Sequence, residues 1–172
     1  GYGANPVEVY GAILNFAFRD ATAFAAVLAT ATPLVVSALA LAVCFKAGLF
    51  NIGGQGQYLS GSILAVWIGT SFEGMGAFWH IMLAVVVGTL AGAMLAGIAG
   101  FLKATVGAHE VITTIMLNWI AYWIGNWAFG QGGPLQNDIN ESVPVSNNVV
   151  ENAKLSVFWG DPLLQGLHTG FF

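Results

Sequence analysis

The sequence predicts an all-α fold, a polytopic membrane helix bundle interrupted by a broken or re-entrant segment. Three observations predict it. Hydrophobic residues make up 57% of the 172 residues and charged residues only 7%, far below the roughly 25% charged content of soluble domains; the mean hydropathy is +0.77. Several runs are long, apolar and free of charge. Between two of them lies "AGLFNIGGQGQY" (47–58), where glycines and neutral amides stand at a point where a helix should continue or leave the membrane.

The first element, 7–18, is a short helix with one apolar side, too short to cross a hydrocarbon core of about 30 Å, and is expected at the interface. The uncharged run 22–45 spans about 36 Å as a helix. Pro33 within it removes one backbone donor, so a local kink is expected. The next helix, 57–72, reaches only about 24 Å, which leaves the depth to be made up by non-helical backbone around Asn51 to Gly56. The run 77–102 is long enough to span. In it Gly88, Gly92, Ala96 and Gly100 recur every fourth residue as a small-residue row for close helix packing. A fourth span is expected over 109–129. From 130 to 161 the composition turns to Gly, Asn, Pro, Ser and acids, which reads as an extracytoplasmic loop, and 162–172 reads as the start of another helix. The chain opens at Gly1 without an initiator Met and stops within an apolar segment, as a fragment would.

Charge orients the set. Lys46 and Lys103 fall at the same end of alternate spans, whereas the loop holds Asp138, Glu141, Glu151 and Asp161 against Lys154. The lysine end is therefore expected to face the cytoplasm, with Arg19 outside beside Asp20. The formal net charge of -4, from 4 basic and 8 acidic residues, provides no basic patch for nucleic acid. A single cysteine, Cys44, supports neither an intramolecular disulfide nor a multi-thiolate metal site.

Two polar groups interrupt the apolar pattern. In the first, Gly53, Gly54 and Gly56 are expected to permit positive φ and close backbone approach. The amides of Asn51, Gln55 and Gln57 can donate and accept hydrogen bonds without burying charge, which suits a neutral polar solute. The same residues also fit a surface turn whose glycines cap helices. In the second group, Glu110, Thr114, Asn118, Tyr122 and Asn126 form a stripe that drifts about 40° per step around a helix. The alternative is a helix start at His109-Glu110 with Thr114 and Asn118 bonding between helices. Glu110 belongs near an interface or a wet cavity, since a carboxylate at mid-bilayer costs about 2.5–3.5 kcal/mol. Trp119, Trp123 and Trp127 share an edge that suits an interfacial aromatic belt. Enzymatic readings find no support. "GGQGQYLSG" lacks the Lys-Ser/Thr of a phosphate-binding loop, His80, His109 and His168 have no metal-ligand spacing, and no Ser-His-Asp arrangement stands out.

Two longer stretches, "ATPLVVSALALAVCFKAGLFNIGGQGQYLSG" and "HEVITTIMLNWIA", resemble the permease subunit of bacterial ABC importers of the simple-sugar and nucleoside type. That group shares a superfamily with the ribose and branched-chain amino-acid importers, and the resemblance runs from about residue 5 to 161. It implies a multi-pass transport subunit of the bacterial inner membrane, carrying no enzymatic activity or cofactor of its own. ATP would be used by cytoplasmic ATPase partners, alongside a second permease and an extracytoplasmic solute-binding lipoprotein. By the resemblance, Asn51, Gly53, Gly56 and Gln57 match the family's pore-side motif, and Glu110, Thr113, Thr114 and Asn118 match the later one. Many relatives have Glu where this sequence has Gln55, so a carboxylate role is not carried over there. Family members have one more helix before this stretch and further helices with an ATPase-docking loop after it, which implies a fragment of a larger permease. A nucleoside or a related sugar-like solute fits amides and aromatics, with ribose or riboflavin as alternatives. Two other classes fit the residues themselves: a self-sufficient channel with a re-entrant selectivity loop, and a structural scaffold in which the polar stripe only packs.

Overall fold

Apolar runs of this length satisfy their backbone internally only as helices, and a computed structural model, describing residues 3, 5–139, 142–159 and 167–169, contains five. They are α1 Pro6–Ala17, α2 Ala21–Lys46, α3 Gly54–Thr70, α4 Ala77–Val106 and α5 Glu110–Phe129, followed by a 3-10 turn at Glu151–Ala153. Extended pairing among the described residues is limited to an isolated antiparallel bridge, Val157 with His168. The chain divides into two units, one of Gly1–Ala40 with Leu155–Phe172 and one of Leu41–Lys154.

In the first unit the helix starts follow local chemistry. Asn5 caps α1 by accepting from the Val7 N–H at 3.1 Å, with Pro6 at the first helical position, where its missing donor costs nothing. Asp20 opens α2, its carboxylate accepting from the Ala23 N–H at 2.7 Å and from Arg19 Nε at 2.9 Å. The Ala23 N–H, then Arg19, hold this carboxyl below its usual range. The cap is therefore present above the ordinary carboxylate pKa and lost as pH falls through the lowered value. α2 runs as one helix from Ala21 to Lys46 with Pro33 inside it. Of the expected next helix over 162–172, the segments 162–166 and 170–172 lie outside the described residues, and His168 pairs in the bridge.

The second unit is built around α3, which packs on both α4 and α5. Its contact with α4 is backbone against backbone. A Cβ added at Gly61 would stand 2.9 Å from the Gly88 carbonyl oxygen, one at Gly88 3.0 Å from that of Gly61, and one at Gly92 3.0 Å from that of Gln57. The small-residue row thus packs at Gly88 and Gly92. It does not pack along its full length, because a Cβ at Gly100 would meet nothing within 4 Å. Gly92→Leu is expected to force α3 and α4 apart and lower the thermal midpoint of the detergent-solubilised protein, whereas Gly100→Leu leaves it near wild type; equal midpoints would place Gly92 outside the contact. On the other side of α3, the buried residues Thr114, Leu117, Ala121, Gly125 and Ala128 form α5's inner face, with Gly125 against Ile63.

The end of α3 is closed by residues from two other places. His80, fully buried on α4, has Nε2 2.8 Å from the Ile68 carbonyl oxygen, and the Val150 N–H donates to the Gly69 carbonyl at 2.9 Å. Asn152 Nδ2 adds a bond to the Met75 carbonyl at 3.1 Å. The segment after α5 is held together by its own amides: the Asn137 N–H donates to the Val145 carbonyl at 2.7 Å, and Asn147 Nδ2 to Asp138 at 2.9 Å. Glu141 and Asp161 of the expected loop lie outside the described residues.

Several boundaries differ from expectation. α3 begins at Gly54, not Gln57, and ends at Thr70, so the irregular segment lies at 47–53 and not at Asn51 to Gly56. α4 continues past Leu102 to Val106, which puts Lys103 inside the helix. Two helices, α2 and α4, are long and apolar enough to cross a membrane by length and composition. Their flanks carry exposed large apolar side chains such as Leu34, Phe101 and Met94, the arrangement expected where lipid replaces water.

Candidate functional site

The polar corner begins where α2 stops. Gly48 takes φ 74°; its N–H donates to the Phe45 carbonyl at 3.0 Å, and the Leu49 N–H donates to the Cys44 carbonyl at 3.0 Å. This is a Schellman ending, which requires the left-handed conformation that glycine adopts without strain. Gly48 therefore does the conformational work expected of Gly53, Gly54 and Gly56. Gly53 has φ -85°, and positive φ occurs at none of those three.

Their purpose is proximity. A Cβ on Gly56 would lie 2.7 Å from Asn118 Oδ1 and 2.8 Å from Asn118 Cα, and one on Gly53 3.1 Å from Thr114 Cβ. α5 comes this close because it holds the connecting backbone. The Ile52 N–H donates to Thr114 Oγ1 at 3.3 Å, Asn118 Nδ2 donates to the Ile52 carbonyl at 3.0 Å, and the Gly56 N–H donates to Asn118 Oδ1 at 2.8 Å. Both polar groups of one residue and a first-turn N–H of α3 are thus satisfied by α5, one helical turn supplying all three bonds. Gly56 N–H is one of the donors a helix start leaves unpaired, and Gly53 provides no side chain to cap it.

Asn51 and Gln57 close the corner from within. Gln57 Nε2 donates to Asn51 Oδ1 at 3.1 Å, Asn51 Nδ2 donates to Gln57 Oε1 at 3.3 Å, and the Gly53 N–H donates to Asn51 Oδ1 at 2.8 Å. Beside this pair lies a cavity of about 120 Å³. Asn51, Gln57, Glu110 and Thr114 line it, together with Cys44, Leu49, Phe50, Ala96, Ala99, Gly100 and Lys103. Lys103 Nζ meets Glu110 Oε2 at 2.7 Å across the α4–α5 turn, which reverses at Gly107, φ 66°.

Of the expected site residues, Asn51, Gly53, Gly56, Gln57, Thr114 and Asn118 come together at the corner, and Glu110 joins the cavity. Two stand apart. Gln55 is exposed on the outer side of α3's first turn, and Thr113 donates its hydroxyl to the His109 carbonyl at 3.1 Å. The polar stripe divides for the reason its drift implies, with Tyr122 and Asn126 rotated to exposed positions. Trp119 and Trp123 flank Tyr122 edge-on at 6.0 and 5.7 Å. Lys103 and Cys44 were not anticipated as lining residues. Lys103 could have been found from Ala96, Ala99 and Gly100, which share its helical face at spacings of three, four and seven.

Comparison with known proteins decides which family these features belong to. The family model described as "Branched-chain amino acid transport system / permease component" matches residues 23–160. The chain belongs to that permease family. It is 42% identical over 125 residues to the guanosine ABC transporter permease protein NupP of Bacillus subtilis (strain 168), covering 73% of this chain and 36% of that protein. It is likewise 42% identical over 119 residues to the nucleoside ABC transporter permease protein NupB of Lactococcus lactis subsp. cremoris (strain MG1363), covering 69% of this chain and 33% of that one. Against the glucose ABC transporter permease protein TsgB13 of Haloferax volcanii, identity is 30% over 166 residues, 96% of this chain and 41% of the relative. The permease chain thus spans about a third to two fifths of the length of these relatives. No solved structure matches it.

Proposed function

We propose that the intact protein is the membrane-spanning permease subunit of an ABC importer that carries nucleosides, or a related sugar-like solute, into the cytoplasm. ATP is hydrolysed on separate partner subunits, and a solute-binding lipoprotein delivers the cargo. The observation that carries this reading is the neutral corner of Asn51, Gln57, Thr114 and Asn118 beside a cavity. It belongs to a chain 42% identical to permeases whose names specify guanosine and nucleosides. Amides that exchange partners can follow a neutral polar solute without the desolvation cost of a charge. Family membership favours a coupled importer over a self-sufficient channel. Reconstitution of the full-length protein with its genomic partners should give nucleoside uptake that needs both ATP and the binding protein; uptake independent of ATP would overturn the reading.

In this proposal α2, α3, α4 and α5 all span a bacterial inner membrane, with the Lys46 and Lys103 end cytoplasmic. α3, at 17 residues and about 1.5 Å each, relies on the 47–53 connection for the rest of its depth. A cysteine at the exposed Asn148 is expected to react with an impermeant maleimide in intact spheroplasts. Reaction only after permeabilisation would reverse the orientation.

A further inference from the structure

We propose that the Lys103–Glu110 ion pair is a latch on the cavity, tying the α4–α5 corner shut so that the pair must part before a solute can pass. The proposal rests on the transport reading above. Size is the first argument: the cavity holds about 120 Å³, whereas pockets that enclose small organic ligands occupy about 300–1,000 Å³. At about 30 Å³ per molecule, a few waters fill it. As it stands, the space beside the pair is too small for a nucleoside-sized solute.

Position is the second argument. Both charged side chains line the cavity, the lysine with 44% of its side chain exposed and the glutamate with 17%, so the pair stands where the cavity meets the outside. The α4 wall behind it offers only small residues, Ala96, Ala99 and Gly100, and Gly100 faces open space. No bulky side chain from that wall wedges the corner in place. Asn51 and Gln57 are bonded to each other, which leaves Lys103 and Glu110 as each other's partner. An ion pair whose lysine is 44% exposed is a weak tie, suited to opening and closing repeatedly.

Cys44, half-buried on the opposite wall, reports the state of the cavity without any solute. The experiment uses the full-length complex in membranes, with cysteines outside this chain segment replaced by serine, and measures the rate at which N-ethylmaleimide modifies Cys44. Lys103→Met and Glu110→Gln are each expected to raise that rate about three- to fivefold. Lys103→Arg keeps it near wild type, and adding Gly100→Leu to Lys103→Met fills the cavity and slows the reaction again. Unchanged rates in both Lys103→Met and Glu110→Gln, or an equal rise in Lys103→Arg, would overturn the latch. Because the thiol reaction needs neither cargo nor ATP, it stands even if the complex proves not to carry nucleosides.

Discussion

Asn118→Leu is expected to abolish uptake and to cause the largest loss of stability of any single substitution at the corner. The change removes two bonds at once and leaves the Gly56 N–H and the Ile52 carbonyl without their partner on α5. Gly56 is buried, and leaving its N–H unpaired costs about 1–3 kcal/mol; the bond to the Ile52 carbonyl is exposed and adds less. Asn118→Asp keeps the acceptor for Gly56 but not the donor for Ile52, and should fall between. Denaturation midpoints of purified protein in detergent, with uptake measured in parallel, check both. A leucine variant as stable as wild type would mean that α5 does not hold the connection.

Gly56→Ala is expected to be nearly as damaging, although alanine is the better helix former. Its methyl group would sit 2.8 Å from the Asn118 backbone, a contact that no rotamer change relieves, and overpacking of this kind costs about 1–3 kcal/mol. Gly54→Ala provides the control. It adds the same methyl group two residues earlier, where nothing lies within 4 Å, and should be neutral or slightly stabilising. Gly53→Ala belongs between the two, since its contacts begin at 3.0 Å and include the movable side chains of Asn51 and Gln57. If the alanines at 54 and 56 behave alike, propensity rather than proximity governs the motif.

Much of this was legible in the sequence because it depends on pattern. Uncharged runs mark the helices, and the helical spacing of Thr114 and Asn118 placed them on one face. Gly88 and Gly92 were readable as close-contact positions because small residues four apart have few other uses in lipid. What escaped was the assignment of work among glycines. A sequence shows that "AGLFNIGGQG" is permissive, but not that Gly48 turns the chain while Gly56 makes room for α5, because that distinction depends on a helix 62 residues away. For the same reason the start of α3 was placed late. Its first turn has no capping side chain of its own at Gly53, and a cap supplied from α5 leaves no local signature. Thr113 matched the later motif and Gln55 was singled out for its amide, yet neither joins the corner, and one-residue offsets on a helix rotate side chains by about 100°.

The capping of α3 by Asn118 also imposes an order on biogenesis. The ribosome delivers Gly56 well before the residue that satisfies it, and at about 5–20 residues per second the gap of 62 residues lasts about 3–12 s. During that interval the Gly56 N–H at the first turn of α3 must find another partner, such as water, and on the proposed membrane placement lipid would offer it none. The polar motif can therefore be translated in full and still lack its final shape, which forms only when α5 packs beside it.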